Sequence, residues 1–131
     1  MIGVDTNVII RYLTQDDPQQ ANRVDTVIAA ALDDGSRLHV DDIVLCEVAW
    51  VLRAAYRLSK PTIADALEKL LSTAIFSFED RELLRSALAD YAEGAGDFSD
   101  YLIGRRNARA GCEDTVTFDR SLRDQPSFRQ L

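Results

Sequence analysis

The chain has 131 residues, of which 47% are hydrophobic, and it carries a net charge of −7 at pH 7. This length and composition predict a single globular domain over residues 1–131, with a core large enough to fold without disulfides. The acidic balance argues against a protein that holds nucleic acid by bulk charge alone. A polyanionic substrate would therefore need a local basic patch or a bound cation.

The sequence predicts neither a targeting segment nor a membrane span. The apolar start is interrupted by Asp5, no cleavage site follows it, and no apolar run approaches the length of a span. Cys46, Cys112 and the single His39 are too few and too scattered for a zinc site. We expect a cytoplasmic protein with no membrane partner, whose thiols are reduced and mostly buried.

Short apolar segments predict strands at residues 2–4, 37–40, 74–78 and 115–118. Helical patterns lie between them, with Asp17 and Pro18 at one start, Asp41 or Asp42 at the next, and a last helix from about Ser99 to Arg109. Strands that alternate with helices predict an α/β fold. We expect a three-layer α/β/α sandwich with a central four- to five-stranded, mainly parallel sheet.

Glu47 is the only charged side chain between Ile43 and Leu52. Its neighbours one helical turn away are apolar, so the pattern predicts that it lies close to apolar groups rather than on a fully solvated face. A carboxylate in such surroundings is costly unless it is paired or bound to a cation. The alternative is an ordinary solvent-facing glutamate.

Asp5 and Asp119 each follow a short predicted strand. Ligands in α/β proteins bind at the carboxyl ends of parallel strands, where both residues are expected. Aspartate is also common in turns for local reasons, so neither residue is decisive alone.

Asp97 and Asp100 share one face of the first turn of the last helix. Helix capping explains both without a ligand, with Asp97 as the cap and Asp100 in the third position of a capping box. Grouped with Asp5, Glu47 and Asp119, however, they would form an acidic cluster that needs a common cation. Oxygen ligands with almost no His or Cys favour Mg²⁺ or Mn²⁺, and such a cluster suits phosphodiester hydrolysis.

The segment VDTNVII, the isolated Glu47, the segment DFSDYLIG and the terminal TVTFD together resemble the PIN-domain ribonucleases, specifically the VapC-type toxins of toxin–antitoxin pairs. The resemblance runs from Ile2 to about Arg120. It implies that the catalytic acidic set is Asp5, Glu47, Asp100 and Asp119, that Asp97 is a further metal ligand or a supporting residue, and that Thr6 and Asn7 support the site by hydrogen bonding.

The resemblance also implies Mg²⁺-dependent endonucleolytic cleavage of RNA, with Mn²⁺ as a substitute, leaving a 5′-phosphate and a 3′-hydroxyl. It implies a VapB-type antitoxin as partner and a homodimer. Predicted RNA contacts are Arg11, Arg53, Arg105, Arg106 and Arg109. The alternative for each arginine is a solvated side chain that balances surface acids.

Other classes fit less well. A receiver domain would need a lysine after a late strand, and a haloacid-dehalogenase-type phosphatase would need an aspartate where Asn7 stands. A PIN nuclease of RNA processing that is not a toxin, or a binding module without catalysis, remain alternatives. Activity that survives the loss of Asp5 would favour the binding module.

Overall fold

The computed structural model describes all 131 residues, and the chain divides into two compact units, residues 1–79 and 80–131. The first unit contains β1 (Ile2–Val4), α1 (Thr6–Thr14), α2 (Pro18–Asp33), β2 (Leu38–Val40), α3 (Asp42–Ala54), α4 (Lys60–Ser72) and β3 (Phe76–Ser77). The second contains α5 (Arg81–Glu93), α6 (Phe98–Arg109), β4 (Thr115–Thr117), a 3₁₀ turn (Arg120–Leu122) and β5 (Phe128–Gln130).

The predicted α/β class is confirmed, because all strand pairs are parallel. The first unit holds a three-stranded sheet in the order β1-β2-β3, in which Ile2 pairs with Leu38 and Leu38 pairs with Phe76. The second holds a two-stranded sheet of β4 and β5, in which Thr115 pairs with Phe128. The five strands therefore lie in sheets of three and two. The sequence analysis predicts strand segments for β1, β2, β3 and β4 but not for β5.

Helix starts follow the capping residues in the sequence. Asp17 accepts a hydrogen bond from the Gln20 backbone N–H at 3.1 Å, and Pro18 begins α2. Of the two candidates at the start of α3, Asp41 is the cap, and it accepts from the Ile43 N–H at 2.8 Å. These contacts satisfy N–H groups that the first turn of a helix otherwise leaves without an acceptor.

The apolar stripes of α4 and α5 form much of the core of their units. Fully or nearly fully buried residues there are Ile63, Leu67, Leu70, Leu71, Leu83, Leu84, Ala87, Leu88 and Tyr91. The apolar patterns of β1 and α2 suggest that Ile2 and Leu32 are buried, but both are exposed. Each residue lies near an end of its helix or strand, where the spacing of apolar residues does not show whether a neighbouring element covers the side chain.

No helix combines the length and the apolar character that a membrane span requires. The two cysteines are free, as predicted, but they are not both buried: Cys46 is half-buried and Cys112 is exposed. Burial raises the pKa of the Cys46 thiol to about 11, and the Asp41 and Glu47 carboxylates add to the rise.

Candidate metal centre

Asp5 links β1 to α1 and caps the helix. Its extended backbone lets Oδ1 accept a hydrogen bond from the Val8 N–H at 3.2 Å. The side chain is exposed, and Oδ2 makes no hydrogen bond. One oxygen of this carboxylate therefore serves the helix, while the other is available to a ligand.

Thr6 and Asn7 begin α1, directly after Asp5. Thr6 is half-buried and Asn7 is exposed, and the only hydrogen bond to the Asp5 side chain comes from the Val8 backbone. Asn7 borders a shallow cleft of about 230 Å³ that Arg11 and Gln20 also line. The supporting role of Thr6 and Asn7 stays a prediction.

Glu47 lies in the middle of α3 and is exposed, so the expectation that it avoids a solvated face is wrong and the alternative of a solvent-facing glutamate holds. The residues one turn away on the same face, Ile43 and Trp50, are 67% and 61% exposed. They are apolar, but they do not cover the carboxylate. Glu47 makes no hydrogen bond or ion pair. Burial therefore gives no reason for a cation here, and the case for Glu47 as a ligand rests on the resemblance.

Trp50, like Glu47, lies on the exposed side of α3, although a large aromatic residue in an apolar helix is more often part of the core. The buried face of α3 is formed by Leu45, Val48, Ala49 and Leu52. Because this face accounts for the packing of the helix, the opposite face presents Ile43, Glu47 and Trp50 together.

Asp97 and Asp100 form a capping box at the start of α6, which confirms the local account of both residues. Asp97 is the N-cap, and Oδ2 of Asp100 accepts a hydrogen bond from the Asp97 backbone N–H at 2.8 Å. Both side chains are half-buried. These carboxylates are thus held side by side at the positive end of the α6 dipole.

Asp119 lies two residues beyond the end of β4 and caps the 3₁₀ turn. Its Oδ1 accepts hydrogen bonds from the Ser121 hydroxyl at 2.7 Å and from the Ser121 N–H at 2.9 Å. The hydroxyl bond, followed by the backbone bond, lowers the pKa of Asp119 below its ordinary value of 3.8. The side chain is therefore an anion at neutral pH.

The candidate acids are thus distributed over the two units. Asp5 and Glu47 belong to the first unit, and Asp97, Asp100 and Asp119 belong to the second. Asp97 and Asp100 are joined by a hydrogen bond. Within neither unit do three or more His, Cys, Asp or Glu side chains stand close enough together to hold a metal ion.

Arg11, Arg105 and Arg109, which were predicted to contact RNA, are each paired with an acid of their own unit. Arg11 bonds Asp16 at 3.2 Å, Arg105 binds both oxygens of Asp90 at 2.7 and 2.8 Å, and Arg109 pairs with Asp80. The Asp90 hydrogen bonds raise the pKa of Arg105. These three arginines therefore match the alternative stated for them, a side chain that balances a surface acid. Arg53 and Arg106 are exposed.

The family model described as PIN domain matches residues 2–126. The chain belongs to the PIN-domain family. This PIN domain is also 22% identical over 120 residues to a VapC ribonuclease of Aquifex aeolicus (strain VF5), a comparison that covers 92% of this chain and 88% of that protein. The resemblance identified from the sequence motifs is confirmed. Family membership also agrees with the predicted PIN-like α/β/α class.

Two further residues of this PIN domain, Tyr101 and Gln125, were not selected by any sequence pattern. The buried hydroxyl of Tyr101 accepts from the Gly96 N–H at 3.0 Å and donates to Oε1 of Gln125 at 3.1 Å. Tyr101 directly follows Asp100, but an aromatic residue at that position is equally consistent with core packing. No sequence signal distinguishes the two roles.

Proposed function

We propose that this PIN domain is an endoribonuclease that acts as the toxin of a toxin–antitoxin pair. The observation that carries the proposal is the family match over residues 2–126, which includes every candidate carboxylate from Asp5 to Asp119. The similarity to a VapC ribonuclease over 92% of the chain supports the choice of RNA and of the toxin class. The same match supports one domain made of both units.

We propose Mg²⁺ as the cofactor, with Mn²⁺ as a substitute, and Asp5, Glu47, Asp97, Asp100 and Asp119 as its ligands. The donors fit a hard cation because they are carboxylate oxygens without His or Cys. The hydrogen bonding also leaves oxygens available to a cation. Capping occupies Oδ1 of Asp5 and of Asp119 and leaves Oδ2 of each without a hydrogen bond. The Glu47 carboxylate makes no hydrogen bond at all.

When bound, Mg²⁺ would activate a water for attack on a phosphodiester and stabilise the charge that develops on the phosphate. The residues of this chain supply the negative charge and hold the carboxylates in place. Helix capping restricts Asp5, Asp97 and Asp119 to narrow ranges of orientation. In this scheme Thr6 and Asn7, in the first turn of α1, help to hold the Asp5 side chain in place. The products would carry a 5′-phosphate and a 3′-hydroxyl.

RNA binding is proposed for all five arginines that the sequence suggested. Arg53, Arg105, Arg106 and Arg109 are exposed and would contact phosphates. For Arg11, Arg105 and Arg109, RNA would compete with the acids they now bind. We propose a VapB-type antitoxin, a homodimer and a cytoplasmic location as parts of the same assignment.

The test compares wild type with Asp5→Asn and with Asp17→Asn as matched control. Asp17, like Asp5, caps a helix by accepting a hydrogen bond from the backbone N–H three residues later, and it lies outside the proposed set. Asparagine caps a helix about as well as aspartate does, so neither change should disturb folding. Induction of wild type and of Asp17→Asn should arrest growth and produce discrete new RNA 5′ ends, whereas Asp5→Asn should do neither.

Purified protein gives a second readout. Ligand that binds only the folded state stabilises by about 2.7 kcal/mol at a hundredfold excess over Kd, so Mg²⁺ should raise the Tm of wild type and of Asp17→Asn and much less that of Asp5→Asn. Unchanged cleavage by Asp5→Asn would overturn the proposed chemistry. Growth arrest by both proteins without RNA cuts would mean that the chain acts by binding, and cleavage without arrest would indicate a processing nuclease.

A further inference from the structure

The segment that joins α5 to α6 is held by the side chain of Tyr101. This segment, residues 94–97, ends at the Asp97 cap. The Gly96 N–H donates to the Tyr101 hydroxyl at 3.0 Å, and this hydrogen bond is buried. The same hydroxyl donates to Gln125 at 3.1 Å, so it connects the segment before α6 to the chain that follows the 3₁₀ turn.

The two glycines of the segment leave room for the tyrosine. A Cβ placed on Gly94 would lie 2.6 Å from Cζ of the Tyr101 ring, and one on Gly96 would lie 2.6 Å from Cδ2 of Leu122 and 3.2 Å from the Tyr101 hydroxyl. Side chains at either position would push the segment away from the ring. The backbone can approach the hydroxyl because both residues lack a Cβ.

The hydrogen bonds continue from this segment to the proposed metal ligands. Gly96 is bonded to Asp97 through one peptide, and the N–H of Asp97 donates to Oδ2 of Asp100 at 2.8 Å. A series therefore runs from Gln125 through Tyr101 and Gly96 to Asp97 and Asp100. The Tyr101 ring is fixed independently, because it packs edge-on against Phe128 with centroids 6.3 Å apart.

We propose that Tyr101 is a positioning residue that holds Asp97 and Asp100 ready for a divalent cation, with Gln125 fixing the direction of its hydroxyl. This inference rests on the proposed function in treating these two carboxylates as ligands. Its hydroxyl is engaged by Gly96 and Gln125, so in this proposal Tyr101 acts through the segment and not by contact with substrate or metal. It lowers the freedom of the segment on which the capping box is built, so that less order has to be gained when the cation binds.

Hydrogen exchange without metal tests the structural half of the proposal. Tyr101→Phe removes the hydroxyl and keeps the ring on Phe128, while Tyr12→Phe, the control, removes a hydroxyl that makes no hydrogen bond. Amides of residues 94–97 should exchange about tenfold faster in Tyr101→Phe, which is the factor that one buried hydrogen bond is worth. They should not change in Tyr12→Phe. Exchange at the wild-type rate in Tyr101→Phe would overturn the proposal.

A Mg²⁺ titration tests the other half. The Mg²⁺ concentration that gives half-maximal cleavage, and half of the Tm shift, should rise about tenfold in Tyr101→Phe, while cleavage at saturating Mg²⁺ stays near wild type. A lower rate at every Mg²⁺ concentration with an unmoved midpoint would make Tyr101 merely structural. If Tyr101→Phe does not fold, Gln125→Met removes the acceptor of the same hydroxyl and should shift both readouts in the same direction.

The proposed function and the role of the Tyr101 hydroxyl can be disproved separately. A wild-type protein that neither binds Mg²⁺ nor cleaves RNA would overturn the proposed function and, with it, the role of Tyr101 towards the cation. The exchange experiment uses no metal and no RNA, so it still decides whether the hydroxyl holds residues 94–97.

Discussion

Oδ2 of Asp100 accepts a hydrogen bond from the Asp97 backbone N–H at 2.8 Å, across the first turn of α6. The bond places two carboxylates at the positive end of one helix, where the aligned peptide dipoles stabilise negative charge. The capping function and the proposed metal function therefore use the same two side chains. A substitution that separates the two functions has to preserve the cap.

Asp97→Asn preserves the cap, because asparagine and aspartate rank together at the N-cap position. We expect stability to urea to change by no more than about 0.5 kcal/mol and the affinity for Mg²⁺ to fall about tenfold, since a charged ligand is replaced by a neutral one. Urea unfolding and a Mg²⁺-dependent Tm series measure the two effects. If neither quantity changes, Asp97 is only a cap.

The pair of Arg105 and Asp90 distinguishes an RNA contact from a structural ion pair. Both partners are partly exposed, at 46% and 33% of the side-chain surface, so their bidentate pair should contribute no more than about 1 kcal/mol. We expect Arg105→Gln and Asp90→Asn to lower the Tm by similar small amounts, and the double variant to lose little more than either one. If the pair is only structural, the affinity of these variants for RNA should depend on salt concentration as that of wild type does.

If Arg105 contacts RNA as proposed, Arg105→Gln should weaken RNA binding and reduce the slope of affinity against salt by about one counterion, while Asp90→Asn should not. Measuring RNA affinity at several salt concentrations for both variants separates these cases.

Acid stability should depend on Asp16. Hydrogen bonds from Tyr56 at 2.7 Å and from Thr14 at 2.8 Å, with the charge of Arg11, lower the pKa of this carboxyl below 3.8. A carboxyl whose pKa is lower in the folded state stabilises the fold above its unfolded pKa and loses that contribution as the pH falls through the folded pKa. Asp16→Asn should therefore reduce the loss of stability below about pH 4.

Urea midpoints measured from neutral pH down to acid pH test this expectation. Tyr56→Phe should act in the same direction as Asp16→Asn and more weakly, because it removes one of the hydrogen bonds to the carboxylate. Parallel pH profiles for wild type and both variants would contradict it.

Trp50 offers a direct optical readout of Glu47. It is the only tryptophan, it is 61% exposed, and it lies about one turn from Glu47 on the same face of α3. We expect acrylamide to quench its fluorescence efficiently. Mn²⁺, which is paramagnetic, should quench it saturably in wild type and much less in Glu47→Gln. Equal quenching in both proteins would place the metal away from Glu47.

Local sequence signals were enough for most of the secondary structure. Caps such as Asp17 and Asp41 mark helix starts because their side chains reach backbone N–H groups within three residues along the chain. The stripes of α4 and α5 predicted buried faces because a helix repeats its surface every few residues. The motif around Asp97 and Asp100 was informative for the same reason, since both the cap and its partner lie within one turn.

β5 was not predicted as a segment because its pairing with β4 depends on residues more than ten positions away. The single-sheet expectation was drawn from alternation of strands and helices, whereas hydrogen bonding places the strands in sheets of three and two. Pairing between strands depends on residues far apart in the chain, so the periodicity along one strand does not determine its partner.

For the candidate site, sequence patterns alone were enough to match Asp5, Glu47, Asp100 and Asp119 to the family and to show that Asp97 could cap the helix that follows it. The exposure of Glu47 and Trp50 could be learned only from the folded chain, because the chemical nature of a helix face does not say whether another element covers it. The position of the Tyr101 hydroxyl between Gly96 and Gln125 likewise depends on the fold. That contact joins residues 24 positions apart, and no local pattern in the chain encodes such a distance.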